Sequence, residues 1–261
     1  MKEQILNHLS NHPWAALIQV HDVLDSTNTY AKALARQGAP EGTVVIAQSQ
    51  TDGRGRMGRS FHSPEGSGLY FSLILRPNCS ADRLMHLTCA AAVAACDAIE
   101  RSSGVRPGIK WINDLVLEGK KLGGILTELI FGNDGTVSAA IIGIGINCGT
   151  EAFPEEIQGF ACSLCEFTDR FDPAALAAQL MNAFENISHS LLSQQSAILE
   201  RYRQNCVTLG KQVRVISPGG IETGLAETVH TDGSLQVLLD NGQRKNVNSG
   251  EVSVRGLWDY V

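Results

Sequence analysis

Apolar positions change their period along the chain, and each change marks an element. "DSTNTYAKALARQG" spaces its apolar residues three and four apart, which predicts a helix. Ser26 or Asp25 stands at its start, Tyr30, Ala33 and Leu34 form the expected inward stripe, and Gly38 ends it. "TVVIAQSQ" and "GLYFSLILRP" read as strands, the second stopped by Pro77. "ADRLMHLTCAAAVAACDAIERS" reads as one long alanine-rich helix with Ser80 or Asp82 as cap. "GIKWIND", "LGGILTELI" and "SAAIIGIGIN" are strand-like, and the last is so uniformly apolar that it belongs at the centre of a sheet. "DPAALAAQLMNAFENISHSLLSQQ" reads as a helix capped by Asp172, with Pro173 in its first turn.

Near Leu209 the texture changes. Short alternating strands follow, broken by Pro-Gly-Gly, Asp-Gly and Asn-Gly turns, the pattern of a small β-barrel or sandwich. The reading is therefore α+β: a central sheet flanked by helices over residues 1–208 and a small β-domain over 209–261, with the boundary between 205 and 212. No internal repeat or low-complexity tract interrupts this division.

Composition narrows the function classes. With 261 residues, 43% hydrophobic and 18% charged, the chain can bury a substantial core. A net charge of -6 argues against a broad basic face for nucleic acid. No segment approaches the roughly 18 unbroken apolar residues of a membrane span, and the N-terminus lacks the basic start, apolar run and cleavage site of a signal peptide. The seven scattered cysteines are read as free thiols in a reducing cytoplasm. Cys162 and Cys165 form a C-x-x-C with no second ligand pair, and are read as small packed side chains.

Against that acidic background "GRGRMGR" (Gly53 to Arg59) alternates glycine with arginine. Glycine lets backbone N–H groups approach a ligand, and arginine forks pair with carboxylate or phosphate oxygens. Neither the G-x-x-x-x-G-K-S/T spacing of a P-loop nor a helix-opening G-x-G-x-x-G is present. A small-anion site, an RG-type nucleic-acid contact and a solvated loop all fit this stretch taken alone. A second cluster, Lys110, Asn113, Asp114, Lys120 and Lys121, falls around a strand–turn–strand beside Gly123 and Gly124, and favours the anion site.

Taken together these segments resemble the biotin protein ligase family. The family order is S-T-N, Q-T-x-G-R-G-R-x-G-R-x-W, K-W-P-N-D, a lysine ahead of G-I-L-x-E, and a G-x-G-x-N. Here Ser26, Thr27 and Asn28 supply the first, Gln50 to Arg59 the second, and Lys110 to Asp114 the third. Lys121 to Glu128 and Gly143 to Asn147 supply the rest. The likeness is strong over residues 20–170, and the small C-terminal module belongs to the same layout. Phe61 replaces the family's tryptophan, keeping an aromatic wall without the indole N–H, and Ile112 replaces its proline.

The resemblance implies a class II synthetase-like catalytic sheet and an SH3-like C-terminal barrel. It implies ATP-dependent activation of biotin to biotinyl-5′-AMP, then transfer to a lysine of a biotin carboxyl carrier domain. Ser26, Thr27, Gln50 and Gly124 would face the biotin body, with the Gly143 backbone as a wall. Arg54, Arg56 and Lys121 would surround the carboxylate and the α-phosphate. Asp114 would hold Mg2+ or the triphosphate, with Lys110 and Asn147 near the nucleotide. Asn28, Gly53, Phe61, Trp111, Asn113 and Gly145 complete the implied binding set. Residues 53–66 are expected to move, admitting substrate and then excluding water. The stretch before Asp25 is too short for the DNA-binding domain of some members, so no DNA partner is expected, and no membrane. Members occur as dimers and as monomers, which leaves a homodimer open. Two rival readings predict features of their own. A lipoate–protein ligase or octanoyl transferase would carry an R-R-x-S-G-G-G type of loop, which is absent. A nucleic-acid-binding protein would need a basic stripe on the C-terminal module. There Lys211, Arg214, Arg244, Lys245 and Arg255 are offset by Glu222, Glu227, Asp232, Asp240 and Glu251.

Overall fold

The most apolar run in the chain is the middle strand of its main sheet. In the computed structural model, residues 1–150, 153–217, 219–248 and 253–256 are described, the last four as backbone only. Pro218 of the Pro-Gly-Gly turn, Glu251 and the Arg255 side chain thus lie outside the described residues. The elements run α1 (Lys2–Asn7), β1 (Ile18–Leu24), α2 (Thr27–Arg36), β2 (Val44–Gln50), β3 (Gly68–Leu75) and α3 (Leu87–Ser103). Then come β4 (Gly108–Lys110), β5 (Asp114–Leu117), β6 (Lys120–Phe131), β7 (Val137–Asn147), α4 (Glu155–Gln158), α5 (Pro173–Ser190) and α6 (Gln195–Asn205). β8 (Gln212–Ser217), β9 (Gly220–Val229), β10 (Leu235–Leu239), β11 (Arg244–Val247) and β12 (Ser253–Gly256) follow.

Seven strands lie in the order β1-β2-β3-β7-β6-β5-β4. β1 and β2 are parallel and the other neighbours antiparallel, so the sheet is mixed. Successive side chains leave a strand on opposite faces. Along β7, Ala140, Ile142, Ile144 and Ile146 join the large core that also takes in α3 and α5. Ala139 and Ile141 point the other way, into a smaller core with Ala31 and Ala35 of α2. The next two residues in that second series are Gly143 and Gly145. The face that packs under α2 therefore runs out of side chains there, and space opens above the sheet.

Several boundaries differ from the sequence reading, each for a tertiary reason. α2 buries Asn28, Ala31 and Ala35, whereas Ala33 is exposed and Tyr30 and Leu34 are half-buried. Ser26 occupies the cap position without a side-chain cap bond, and its N–H goes to Asp25 Oδ1 at 2.6 Å. The long alanine helix is two pieces: a 3-10 turn at Ala81–Leu84, then α3 from Leu87. Neither Ser80 nor Asp82 caps α3. Its start is set by buried His86, whose Nε2 lies 2.9 Å from the Leu191 carbonyl oxygen. "GIKWIND" is strand over Gly108–Lys110 and again at Asp114, the start of β5, with a turn through a cis Trp111–Ile112 peptide between them. Polar β1 and α6 carry too weak an apolar period to be read in advance. Asp172 does cap α5, accepting the Ala174 N–H at 2.8 Å beside Pro173.

The C-terminal strands form a separate antiparallel sheet, β11-β10-β9-β8-β12. Its inner side chains, Val213, Val215, Ala226 and Leu235 among them, are continuous with the main core. Hydrogen bonds to the β9–β10 region tie the junction, one of them from Gln195 to the Thr231 carbonyl at 2.7 Å. The Trp111 indole N–H donates to the Gly233 carbonyl at 3.0 Å, and Arg203 Nε donates to the Val229 carbonyl at 2.7 Å. On this module Arg244 pairs with Glu227 and Lys245 with Glu222.

Candidate active site

Strand register builds the floor of the site. Tyr70 on β3 faces Gly145 on β7, Gly145 faces Gly124 on β6, Gly124 faces Asp114 on β5, and Asp114 faces Lys110 on β4. One row across five strands thus carries an aromatic ring, two glycines, a carboxylate and an amine. The glycines are required by close approach. A Cβ at Gly145 would come within 2.6 Å of the Phe61 ring, and one at Gly143 within 2.1 Å of Asn28 Oδ1. Above this floor lies a cavity of about 530 Å³.

The arginine loop is folded across the cavity as a small lid. Gly55 N–H donates to the Arg59 carbonyl and Phe61 N–H to the Gly53 carbonyl, both at 2.7 Å, closing two turns of a tight hairpin. Met57 sits at its tip with φ 56°, exposed. Arg56 reaches down and donates from Nη1 to Asn113 Oδ1 at 2.8 Å. Burial lowers the Arg56 pKa from its ordinary value; Asp114 opposes that and Arg59 adds to it. Arg54 is about half exposed and lies 3.7 Å from Asp52, so a ligand can recruit it at small cost. The Phe61 ring meets Tyr70 edge-on at 6.4 Å and closes one wall.

Beneath the lid, Lys121 Nζ donates to Asp114 Oδ1 at 2.7 Å, and Asn113 Nδ2 donates to the same oxygen at 3.3 Å. The Asn113 side chain and backbone are themselves pinned to Ile125, at 3.0 and 2.9 Å. Lys110 is buried at the end of the row. Cationic groups from three segments, Arg54, Arg56, Lys110 and Lys121, thus line one cavity with the Asp114 carboxylate. Among the described residues no group of three or more His, Cys, Asp or Glu is placed to hold a metal. A single Asp among cations is the donor set of a Mg2+ shared with an anionic ligand, rather than a cage made by the protein alone.

The lining from β1–α2 and β2, Ser26, Thr27, Asn28 and Gln50, is uncharged. Thr27 N–H donates to Gln50 Oε1 at 2.9 Å, and Thr27 Oγ1 donates to the same atom at 3.2 Å. Ser72 Oγ lies 2.8 Å from Thr27 Oγ1 and 2.7 Å from Asn28 Oδ1. Asn28 Nδ2 donates to Glu128 Oε2 at 2.9 Å, and Lys32 pairs with the other oxygen of Glu128. Asn28 therefore touches the cavity while its amide ties α2 to β6.

Most residues singled out in the sequence line this one cavity, including Ser26, Phe61, Trp111, Gly124 and Gly143. Asn147, Gly53 and Lys120 are placed elsewhere, Lys120 as an exposed side chain. The Asn147 amide donates to the Cys162 carbonyl at 3.2 Å, at the end of β7 and outside the lining. Gly53 lies beneath the lid, where a Cβ would fall 2.4 Å from the Phe61 carbonyl oxygen and 2.6 Å from Ser63 Oγ. Its contribution is to let the hairpin close. Trp111 lines the cavity with its ring while its N–H is spent on the C-terminal module. Arg214 of β8 and the Ile157–Phe160 pair beside α4 also line the cavity and were not read from sequence. Exposed apolar residues in the otherwise polar "EEIQGF" were the available clue to the pair. Arg214 had none, because it arrives from the other sheet. Cys162 is buried, with its thiol pushed up to about 11 by burial, and takes no part in the cavity.

Comparison with known proteins agrees with this layout. The model of the biotin/lipoate A/B protein ligase family matches residues 20–147, and that of the biotin protein ligase C-terminal domain matches residues 208–255. The bifunctional ligase/repressor BirA of Bacillus subtilis is 38% identical over 229 residues, 86% of this chain and 70% of that protein. The biotin–acetyl-CoA-carboxylase ligase of Mycobacterium tuberculosis is 32% identical over 235 residues, 87% of this chain and 85% of the relative. The biotin protein ligase of Aquifex aeolicus, solved in complex with biotin and ATP, superposes with a TM-score of 0.78 at 28% identity, over 92% of this chain and 98% of that one. The catalytic region and the small C-terminal module are thus matched in order, and the chain belongs to the biotin protein ligase family.

Proposed function

We propose that the chain is an ATP-dependent biotin protein ligase, which activates biotin as biotinyl-5′-AMP and then biotinylates a lysine of a biotin carboxyl carrier domain. The observation that carries this reading is the polarity of the cavity. An uncharged slot floored by Gly143 and Gly145 opens onto the cations around Asp114. Biotin has that shape: a polar ring, an apolar body and one carboxylate. A few fixed hydrogen bonds inside an apolar pocket select such a ligand.

In the first step a biotin carboxylate oxygen attacks the α-phosphorus of ATP, and the bond to pyrophosphate breaks. The carboxylate is already a nucleophile, so no general base is required. Arg54, Arg56 and Lys121 supply the positive charge that the phosphate oxygens need as the transition state forms. Asp114 is the residue that would hold Mg2+, which adds charge neutralisation when bound. In the second step the neutral amine of the carrier lysine attacks the acyl carbon, and AMP leaves with its oxygen. The lid excludes water from the mixed anhydride between the two steps. The seven free cysteines suit a reducing compartment, in keeping with the cytoplasm.

The deciding experiment is pyrophosphate release from ATP with biotin, lipoate or octanoate as the acid. Release with biotin alone is expected. Release with lipoate and not biotin would overturn the reading.

A further inference from the structure

The turn that joins Lys110 to Asp114 is supported from two sides. Its second half rests on β6: Asn113 is bonded to Ile125 through side chain and backbone, and Asp114 pairs with Gly124. Its first half, Trp111 and Ile112, is held from the end of α6 and the segment that follows. The Trp111 N–H donates to Thr208 Oγ1 at 2.9 Å, and the Tyr202 hydroxyl donates to the Ile112 carbonyl at 3.2 Å. All four residues are buried. Trp111 lines the cavity next to Lys110, whereas Tyr202 and Thr208 are not in the lining.

The position of β4 explains why side chains do this. β4 is an edge strand of the main sheet. The segment after α6 covers that edge briefly: Ile109 bridges Cys206 in parallel, and Val207 N–H donates to the Ile109 carbonyl at 2.9 Å. Two residues past Ile109, the Trp111 N–H points to the same side, but the covering segment has begun to turn, with Leu209 N–H donating back to the Cys206 carbonyl at 3.3 Å. The Thr208 hydroxyl stands where a backbone acceptor would continue the ladder. A buried N–H or C=O that loses its partner carries the full cost of desolvation. Without these hydroxyls the Trp111–Ile112 backbone is driven to shift.

We propose that Thr208 and Tyr202 are positioning residues for nucleotide binding: they fix the Trp111–Ile112 backbone, and with it the Trp111 ring and the adjoining Lys110 in the cavity wall. The inference rests on the proposed function, which sets ATP against this cationic part of the lining. Ser26, Thr27 and Gln50 come from the start of α2 and the end of β2, toward the opposite edge of the sheet. Asp114 keeps its own support on β6. Loss of either hydroxyl therefore weakens ATP binding and leaves biotin binding and the chemical step nearly unchanged.

The test is steady-state pyrophosphate release by the wild type, Thr208→Val, Thr208→Ser and Tyr202→Phe, with biotin and ATP varied in turn and urea denaturation run on each. Thr208→Val keeps the branched shape and removes the acceptor. Its ATP KM should rise about three- to tenfold, while its biotin KM and kcat stay within about twofold. Thr208→Ser keeps the hydroxyl and should stay within about twofold of wild type in every constant. Tyr202→Phe should raise the ATP KM in the same way, and it serves if the valine variant fails to fold. An unchanged ATP KM in folded Thr208→Val or Tyr202→Phe would overturn the proposal at any denaturation midpoint, because a merely structural hydrogen bond lowers the midpoint alone. An equal rise in both KM values would also overturn it, as would a serine variant that behaves like the valine one. A wild-type protein that releases no pyrophosphate with biotin would instead sink the proposed function, independently of Thr208 and Tyr202.

Discussion

Gly143 and Gly124 both lie in the cavity floor, yet they are glycine for different reasons. At Gly143 an added Cβ would meet Asn28 Oδ1 at 2.1 Å, and Asn28 is tied to Ser72, Leu126 and Glu128. Nothing there can yield without breaking buried hydrogen bonds. Gly143→Ala should therefore destabilise the fold by about 2–4 kcal/mol, read by urea denaturation. At Gly124 the nearest atoms are the tip of Lys121, at 3.4 Å. That tip is flexible, so Gly124→Ala should keep stability to within about 1 kcal/mol while displacing the amine that pairs with Asp114. Equal denaturation midpoints for the two variants would mean that the floor is softer than these distances imply.

At the scale of elements, the lid shows how a segment poor in apolar contacts can still hold a shape. Between Gly53 and Phe61 it closes on itself, Gly55 to Arg59 and Phe61 to Gly53, and tethers reach it from Asn113 at Arg56 and from Gln50 at Ser63. Its tip residues Met57, Gly58 and Arg59 are exposed. Such a segment opens at low free energy. Limited proteolysis should cut within residues 53–66 in the free protein, and biotin with ATP should slow that cleavage by about tenfold or more. Equal cleavage with and without the ligands would remove the lid from the mechanism. The glycine–arginine alternation was legible in sequence as an anion-seeking loop. Its tether to Asn113 was not, since Asn113 lies on a different strand connection and meets Arg56 only after β5 has paired with β6.

For the whole molecule, one continuous core joins the two sheets, and several thiols are sealed into it. Cys162 is pushed up to about 11 from an ordinary 9.0, chiefly by burial, and Cys148, Cys89 and Cys96 are also shifted upward. These groups are neutral in both states below pH 9, and their packing then contributes in full. Above pH 9 the unfolded chain ionises first, so stability is lost as pH rises toward the folded values. Denaturation measured between pH 8 and 11 should show the unfolding free energy falling over that window, with a shallower fall in Cys162→Ala. A flat profile would mean that these thiols titrate in the folded protein as they do in water.

Local pattern alone was enough for the central strand, for α5 and most of α3, for the turn-rich C-terminal module and for the glycine–arginine loop. Each is written in a window of ten to twenty residues, where period, caps and turns act on neighbours in the chain. Arg54, Arg56, Lys121 and Asp114 were named as one cluster only through the resemblance to a family, and the structure places all four in the lining of one cavity. Only the tertiary structure decided the rest. Register placed Gly145, Gly124, Asp114 and Lys110 in one row. Packing turned α2 onto Asn28, Ala31 and Ala35, split the alanine helix at His86, and took Asn147 and Gly53 out of the cavity lining. Docking of the second sheet brought in Arg214 and gave the Trp111 indole its partner. Those outcomes depend on which distant surfaces meet. Hydrophobic burial drives that meeting without direction, so no local stretch of sequence spells it out.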